Sequence, residues 1–249
     1  MRLKLKKNKF ILQLLAFITL LPCVSVSANK ESEHWSYEGS RGAEHWGDLS
    51  KNYSLCKLGK HQSPINLGEA LSSKNNSPII FHYDDLFIAE NPHTVEIIEK
   101  PIKSIEIEGK TYNLAQFHFH SPSEHSVDHN RYDLELHFVH RGENNKIVVL
   151  GVFFKQGKSN LFIKELLARI TKNGQKFHPL EENDLDYLLP KNKDYFHYMG
   201  SLTTPPCSEE VGWYILKNPV EASREEIAKL KKILKFNARP IQKQEVVEK

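Results

Sequence analysis

The chain has 249 residues, 39% of them hydrophobic and 26% charged, a balance that suits a globular protein, and a single large β-rich domain can occupy that length without a second domain. Lysine and arginine outnumber the acids 34 to 31. Five of those cations lie in residues 1–28, however, and without them 29 cations face 31 acids, so +3 becomes −2. Nothing in the remainder resembles a phosphate-binding stripe, which excludes nucleic acid as an expected partner.

Residues 1–28 stand apart. Arg2, Lys4, Lys6, Lys7 and Lys9 precede the apolar run "FILQLLAFITLL", and small residues follow up to Val26-Ser27-Ala28. That order predicts a cleavable secretory signal cut after Ala28, hence a periplasmic or extracellular location. Gln13 and Thr19 interrupt the run, which is too short for a membrane span. A lipid on Cys23 is the alternative, and Pro22 before it fits a lipoprotein signal poorly. With Cys23 removed, Cys56 and Cys207 remain. In an oxidising compartment an even pair favours a disulfide, with two free thiols as the other reading.

Residues 29–249 read as one domain. The stretch 29–60 is irregular and holds scattered aromatics (Trp35, Tyr37, Trp46, Tyr53), which predicts coil with short helical turns lying over the domain. From Ile79 onward "PIIFHY", "HTVEII", "SIEIEG", "QFHFH", "LELHFVH" and "IVVLGVFF" alternate with turn residues, as consecutive antiparallel strands do. Two helices stand out. "NLFIKELLARITKNG" has apolar residues at helical spacing and ends at Asn173-Gly174, and "SREEIAKLKKILK" opens on Ser223 with Glu226 three residues on, a capping box.

The chemistry concentrates in "QFHFHSPSEH". Side chains two apart share a strand face, so Gln116, His118 and His120 project together while Phe117 and Phe119 point the other way. In "DLELHFVH", Glu135, His137 and Val139 share a face in the same manner. If the two segments are neighbours, His118, His120 and His137 converge. Three imidazoles with an open fourth position make a catalytic zinc site rather than a structural one. Gln116 and Glu135, two residues before ligands, are placed to hold the non-ligating ring nitrogens. The plain alternative is a histidine-rich strand face exposed to water. Iron-binding cupins also use H-x-H followed by a glutamate, and "HFHSPSE" with Glu124 has that shape. The glycines which that pattern needs on both sides are replaced by Tyr112 and Arg131.

Taken together, "EHWGDL", "QSPINL", "QFHFHSPSEH", "ELHFVH" and "GSLTTPPC" resemble the α-class carbonic anhydrases, the exported bacterial branch in particular, from about His34 to Pro240. The resemblance implies a mainly β domain: a large twisted, mostly antiparallel mixed sheet of about ten strands with short peripheral helices. It implies zinc as the cofactor, His118, His120 and His137 as ligands, and Gln116 and Glu135 as their support. Thr203 would accept the hydrogen bond of zinc-bound hydroxide, and Glu124 would take the proton of Thr203. Thr204 would contact bicarbonate or water. Val139, Val149 and Leu202 would line the carbon dioxide pocket, joined by Val211 and Trp213, although each also reads as plain core. His93, preceded here by Pro92, would carry protons to buffer. Tyr37 would stand near the solvent network, Asn237 and Arg239 in a supporting segment, and His125 in a buried hydrogen bond rather than on metal. Cys56 and Cys207 match the disulfide typical of exported members.

The implied function is reversible hydration of carbon dioxide to bicarbonate and a proton (carbonate dehydratase, a lyase), with zinc lowering the pKa of its bound water. A non-catalytic binding protein on the same fold and a zinc esterase are the rivals. The first is disfavoured because all three histidines, Thr203 and Glu124 are present. A homodimer is compatible with the sequence.

Overall fold

The computed structural model describes residues 34–68, 77–83, 89–91, 94–98, 103–170 and 187–243. The expected secretory signal in residues 1–28, His93 and the expected helix stop at Asn173-Gly174 therefore lie outside the described residues. All described residues belong to one compact unit, Glu33–Lys249.

The predicted coil with short helical turns is found as two single-turn helices, α1 (Trp46–Leu49) and α2 (Leu55–Leu58). Short strands follow: β1 (Asn66–Leu67), β2 (Ile80–His82), β3 (Ala89–Asn91), β4 (Thr94–Ile98) and β5 (Ser104–Ile107). The longer ones carry the site: β6 (Lys110–His120), then the short pair β7 (Ser126–Val127) and β8 (Asn130–Arg131), β9 (Leu134–Arg141) and β10 (Ile147–Gln156). Helix α3 (Leu161–Ile170), β11 (Tyr195–Ser201), β12 (Glu209–Ala222) and helix α4 (Arg224–Leu234) complete the order.

Nine of these strands form one mixed sheet, with the path β11-β12-β10-β9-β6-β4-β3. Strand β5 pairs with the first half of β6 and β4 with the second, and β2 pairs with β5. Every pairing in it is antiparallel except β10 with β12. The expected large, mostly antiparallel mixed sheet is thus present. Strands β11 and β12 were not among the six segments read from alternation. Both faces of "VGWYIL" are covered, so it shows no polar–apolar period, and Asn218 and Pro219 interrupt the pattern further on.

Alternation on β6 and β9 divides the core in two. Phe117, Phe119, Leu134, Leu136 and Phe138 point to one face, where Phe162, Ile163 and Leu166 of α3 and Ile227 and Leu230 of α4 cover them. The opposite face carries the histidines and a second cluster built from Ile65, Leu67, Val149, Phe153, Phe196, Tyr198, Val211, Trp213 and Ile215. Burying apolar side chains on both faces contributes about 25 cal/mol per Å2, and here it fixes which face each histidine must occupy.

Candidate metal centre

Register brings the histidines together. In the β6–β9 pairing His118 lies opposite His137, and His120 lies opposite Glu135. A bulge between Leu114 and Gln116 adjusts the register just before the site. The three rings stand 4.6 to 5.4 Å apart between centroids, and one nitrogen from each lies within 4.8 Å of the others. His120 and His137 are 1% exposed, so the reading of a water-exposed histidine face is excluded for them.

Each imidazole has its second nitrogen occupied. His118 Nδ1 donates to Gln116 Oε1 at 2.7 Å, as strand spacing predicted. His137 Nε2 donates to Glu135 Oε1 at 2.8 Å, also as predicted. His120 Nδ1 donates to the main-chain carbonyl of Asn237 at 2.6 Å, a partner the sequence reading missed. A carbonyl and a carboxylate only accept, so these contacts fix the tautomers. The remaining nitrogens, Nε2 of His118, Nε2 of His120 and Nδ1 of His137, are left as bare lone pairs. Burial, reinforced for His118 by the neighbouring His120 and His137, holds the His118 and His120 pKa values below the ordinary imidazole range. Neutral rings are the form that binds metal.

Glu135 anchors more than one histidine. Its Oε1 also receives His125 Nδ1 at 2.7 Å, and its Oε2 receives the His125 N–H at 2.8 Å. Burial alone would raise this carboxyl, but the electrostatic attraction and hydrogen bonds of the His125 and His137 rings hold it well below the usual carboxylate range. His125 Nε2 continues to the Tyr198 hydroxyl at 2.6 Å, and Tyr198 reaches Ser63 Oγ at 2.9 Å. His125, Glu135 and His137 could by proximity form a second ligand group. Their facing atoms are spent on one another, so this is a hydrogen-bonded chain behind the site, the role expected of His125.

The open side behaves differently. His120 Nε2 and Glu124 Oε2 are buried without a hydrogen-bond partner, 3.4 Å apart, and His137 Nδ1 lies 3.9 Å from the same oxygen. Lone pairs and an anionic oxygen converging in a buried space repel each other unless a cation lies among them. Three neutral nitrogen donors suit zinc, which binds imidazole at about 2.0–2.1 Å. The residues present therefore fit the implied metal.

The remaining predicted residues surround this centre. Val139 and Leu202, partly buried, pack on the cluster holding Val149, Val211 and Trp213, and Trp213 lies 4.9 Å from the His137 ring. Thr203 is buried and Thr204 partly exposed on a loop closed by Leu202 N–H to Ser208 O and Cys207 N–H to Thr204 O, both 2.9 Å. The expected Thr203–Glu124 bond is not formed in this structure: Glu124 Oε1 accepts the Arg239 N–H, and Oε2 has no hydrogen-bond partner. Cys56 and Cys207 form a disulfide, which resolves the two cysteine readings and staples that loop to α2. Burial first, and then the Glu124 charge, raise the Tyr37 phenol well above its ordinary range, which places Tyr37 within electrostatic reach of the site.

Similarity to known proteins agrees with this arrangement. Residues 41–247 match the family model described as eukaryotic-type carbonic anhydrase. A carbonic anhydrase of Pectobacterium carotovorum is 36% identical over 90% of this chain and 93% of its own, and one of Klebsiella pneumoniae is 38% identical over 85% and 88%. The solved α-carbonic anhydrase of Thermovibrio ammonificans, in complex with the inhibitor sulfanilamide, is 46% identical, covers 85% of this chain and 96% of its own, and superposes with a TM-score of 0.78. Three lone pairs on a sheet face beside an apolar wall, on a chain with these relatives, lead to one assignment: the protein belongs to the α-class, or eukaryotic-type, carbonic anhydrases.

Proposed function

We propose that this chain catalyses the reversible hydration of carbon dioxide to bicarbonate and a proton, with zinc held by His118, His120 and His137. The observation carrying this reading is the convergence of three imidazoles whose other nitrogens are committed to Gln116, Asn237 and Glu135. Zinc bound there supplies Lewis acidity, which lets a water ionise near neutral pH.

The chain's own residues supply the rest. Carbon dioxide has no charge and no net dipole, so Val139, Val149 and Leu202 give it an apolar wall and keep bulk water away from its carbon. A Thr203 hydroxyl that turned its proton to the unpartnered Glu124 Oε2 would be able only to accept a further hydrogen bond. An acceptor at that place turns the attacking water so that a lone pair faces the carbon. Arg239 N–H holds Glu124 Oε1 at 2.8 Å and leaves Oε2 for this task. Thr204, next on the loop, contacts bicarbonate. His93 takes up the released proton and passes it to buffer. Residues 1–28 direct export, consistent with a disulfide; among the described residues no helix is long and apolar enough to cross a membrane.

Metal analysis of the mature protein, with carbon dioxide hydration and activated-ester hydrolysis measured on the same preparation, tests the reading. One zinc per chain is expected, with loss of both metal and hydration in His118→Ala. Dominant ester turnover with negligible hydration would reject it.

A further inference from the structure

The segment Asn237–Arg239 lies beside the metal centre and touches it twice through its main chain. The Asn237 carbonyl accepts His120 Nδ1–H at 2.6 Å, and the Arg239 N–H donates to Glu124 Oε1 at 2.8 Å. Neither contact involves a side chain of the segment, so both depend on where its backbone is held. One end is pinned by the Asn237 side chain, whose Oδ1 accepts Ser121 N–H at 2.7 Å and whose Nδ2 donates to Phe119 O at 2.9 Å. Those bonds tie it to the end of β6.

The other end is pinned by the Arg239 guanidinium, which turns away from the site. Nη1 donates to Gln62 Oε1 at 2.9 Å and to Ser63 O at 2.7 Å, Nη2 donates to Cys56 O at 2.9 Å, and the group sits 5.7 Å over the Trp46 ring. Arg239 is 1% exposed. These partners are two main-chain carbonyls, an amide oxygen and an aromatic face, all on the N-terminal arm that the Cys56–Cys207 bridge fastens down. Gln62 adds a bond from its Nε2 to Cys207 O at 3.1 Å. A guanidinium buried against neutral acceptors is not a surface ion pair. Its planar fork fixes distance and orientation together, which a lysine ammonium does not do.

We propose that Arg239 is a positioning residue of the metal centre: its guanidinium clamps the segment 237–239 onto the disulfide-bearing arm, so that the same backbone sets the His120 tautomer and the Glu124 carboxylate together. The inference rests on the zinc-site reading but not on which reaction is catalysed. It carries a selective signature. Loosening the clamp disturbs His120 and Glu124, whereas His118, held by Gln116, and His137, held by Glu135, keep their partners.

The test uses protein with 15N-labelled histidine, both zinc-loaded and metal-free, and observes the imidazole N–H proton resonances. In Arg239→Lys, with wild-type circular dichroism, the His120 Nδ1–H signal is expected to shift and to exchange with water at least about ten-fold faster, while those of His118 and His137 stay in place. Gln62→Met, which removes one acceptor and leaves Arg239 intact, should give a smaller change of the same kind. It carries the test alone if Arg239→Lys does not fold. Three unchanged signals in folded protein, or three that move together, would overturn the proposal. No turnover enters this readout, so failure of the carbon dioxide reading would show separately, as zinc-loaded protein with the NMR signature but no hydration.

Discussion

Glu135 sits between two imidazoles, and its charge decides which way both face. Its Oε1 accepts from His137 Nε2 and from His125 Nδ1, so a carboxylate keeps His137 with Nδ1 bare and turned towards His118 and His120. In Glu135→Gln the single amide oxygen cannot serve every donor, and an amide N–H placed opposite His137 Nε2 would favour the wrong tautomer. Zinc affinity should fall about 10- to 100-fold, read from the metal retained against a competing chelator. Wild-type retention would show that a neutral acceptor suffices. Gln116 and Glu135 were legible in the sequence because strand spacing puts them on the face of the ligands they support. The partner of His120 was not. A main-chain carbonyl leaves no residue signature, and this one lies 117 residues away in sequence. Tyr198 and Ser63, which extend the chain from His125, were hidden for the same reason of distance.

Among the elements, β6 and β9 were readable because one face of each carries phenylalanine or leucine and the other polar residues, whereas β12 has apolar cover on both sides. Helix α4 was announced by Ser223 and Glu226, and both reciprocal bonds of the capping box are present: Glu226 N–H to Ser223 Oγ at 3.3 Å and Ser223 N–H to Glu226 Oε2 at 2.8 Å. The structure adds a role that the local motif does not reveal. Glu226 also accepts the Asn160 N–H at 3.0 Å and the Ser159 hydroxyl, and so ties the cap of α4 to the start of α3. Ser223→Ala should therefore cost about 1 kcal/mol, as an ordinary cap does. Glu226→Ala should cost at least about twice that, because it also leaves the buried Asn160 N–H without its acceptor. Urea midpoints of the two variants decide this. Equal losses would mean that the tie to α3 contributes nothing.

For the molecule as a whole, the bridge spans 151 positions and joins the N-terminal arm to the Thr203–Thr204 loop, a closure that chain entropy values at about 5 kcal/mol. Cysteine parity and the export pattern made the pairing legible; its place next to Arg239 and the Thr203–Thr204 loop emerged only in three dimensions. The opposite face of the sheet holds a second consequence of burial. His140 is fully enclosed beside Tyr83 and Phe138, and burial pushes its pKa down to about 3. An unfolded chain protonates this ring below its ordinary pKa of about 6.5, while the folded protein does so only near 3. The stability that the neutral ring contributes is therefore complete above about pH 6.5 and is lost as pH falls towards 3, at up to about 1.4 kcal/mol per unit. In metal-free protein His118 and His120, also held low by burial, pull in the same direction over the same range, and Glu135 does so at more acid pH, so the variant must separate His140 from all three. His140→Gln keeps a polar group beside Tyr83 but cannot titrate. Denaturant unfolding of metal-free protein at pH 7, 6 and 5 should show a falling stability in wild type and a flatter profile in His140→Gln. Parallel profiles would assign the acid loss to groups other than His140.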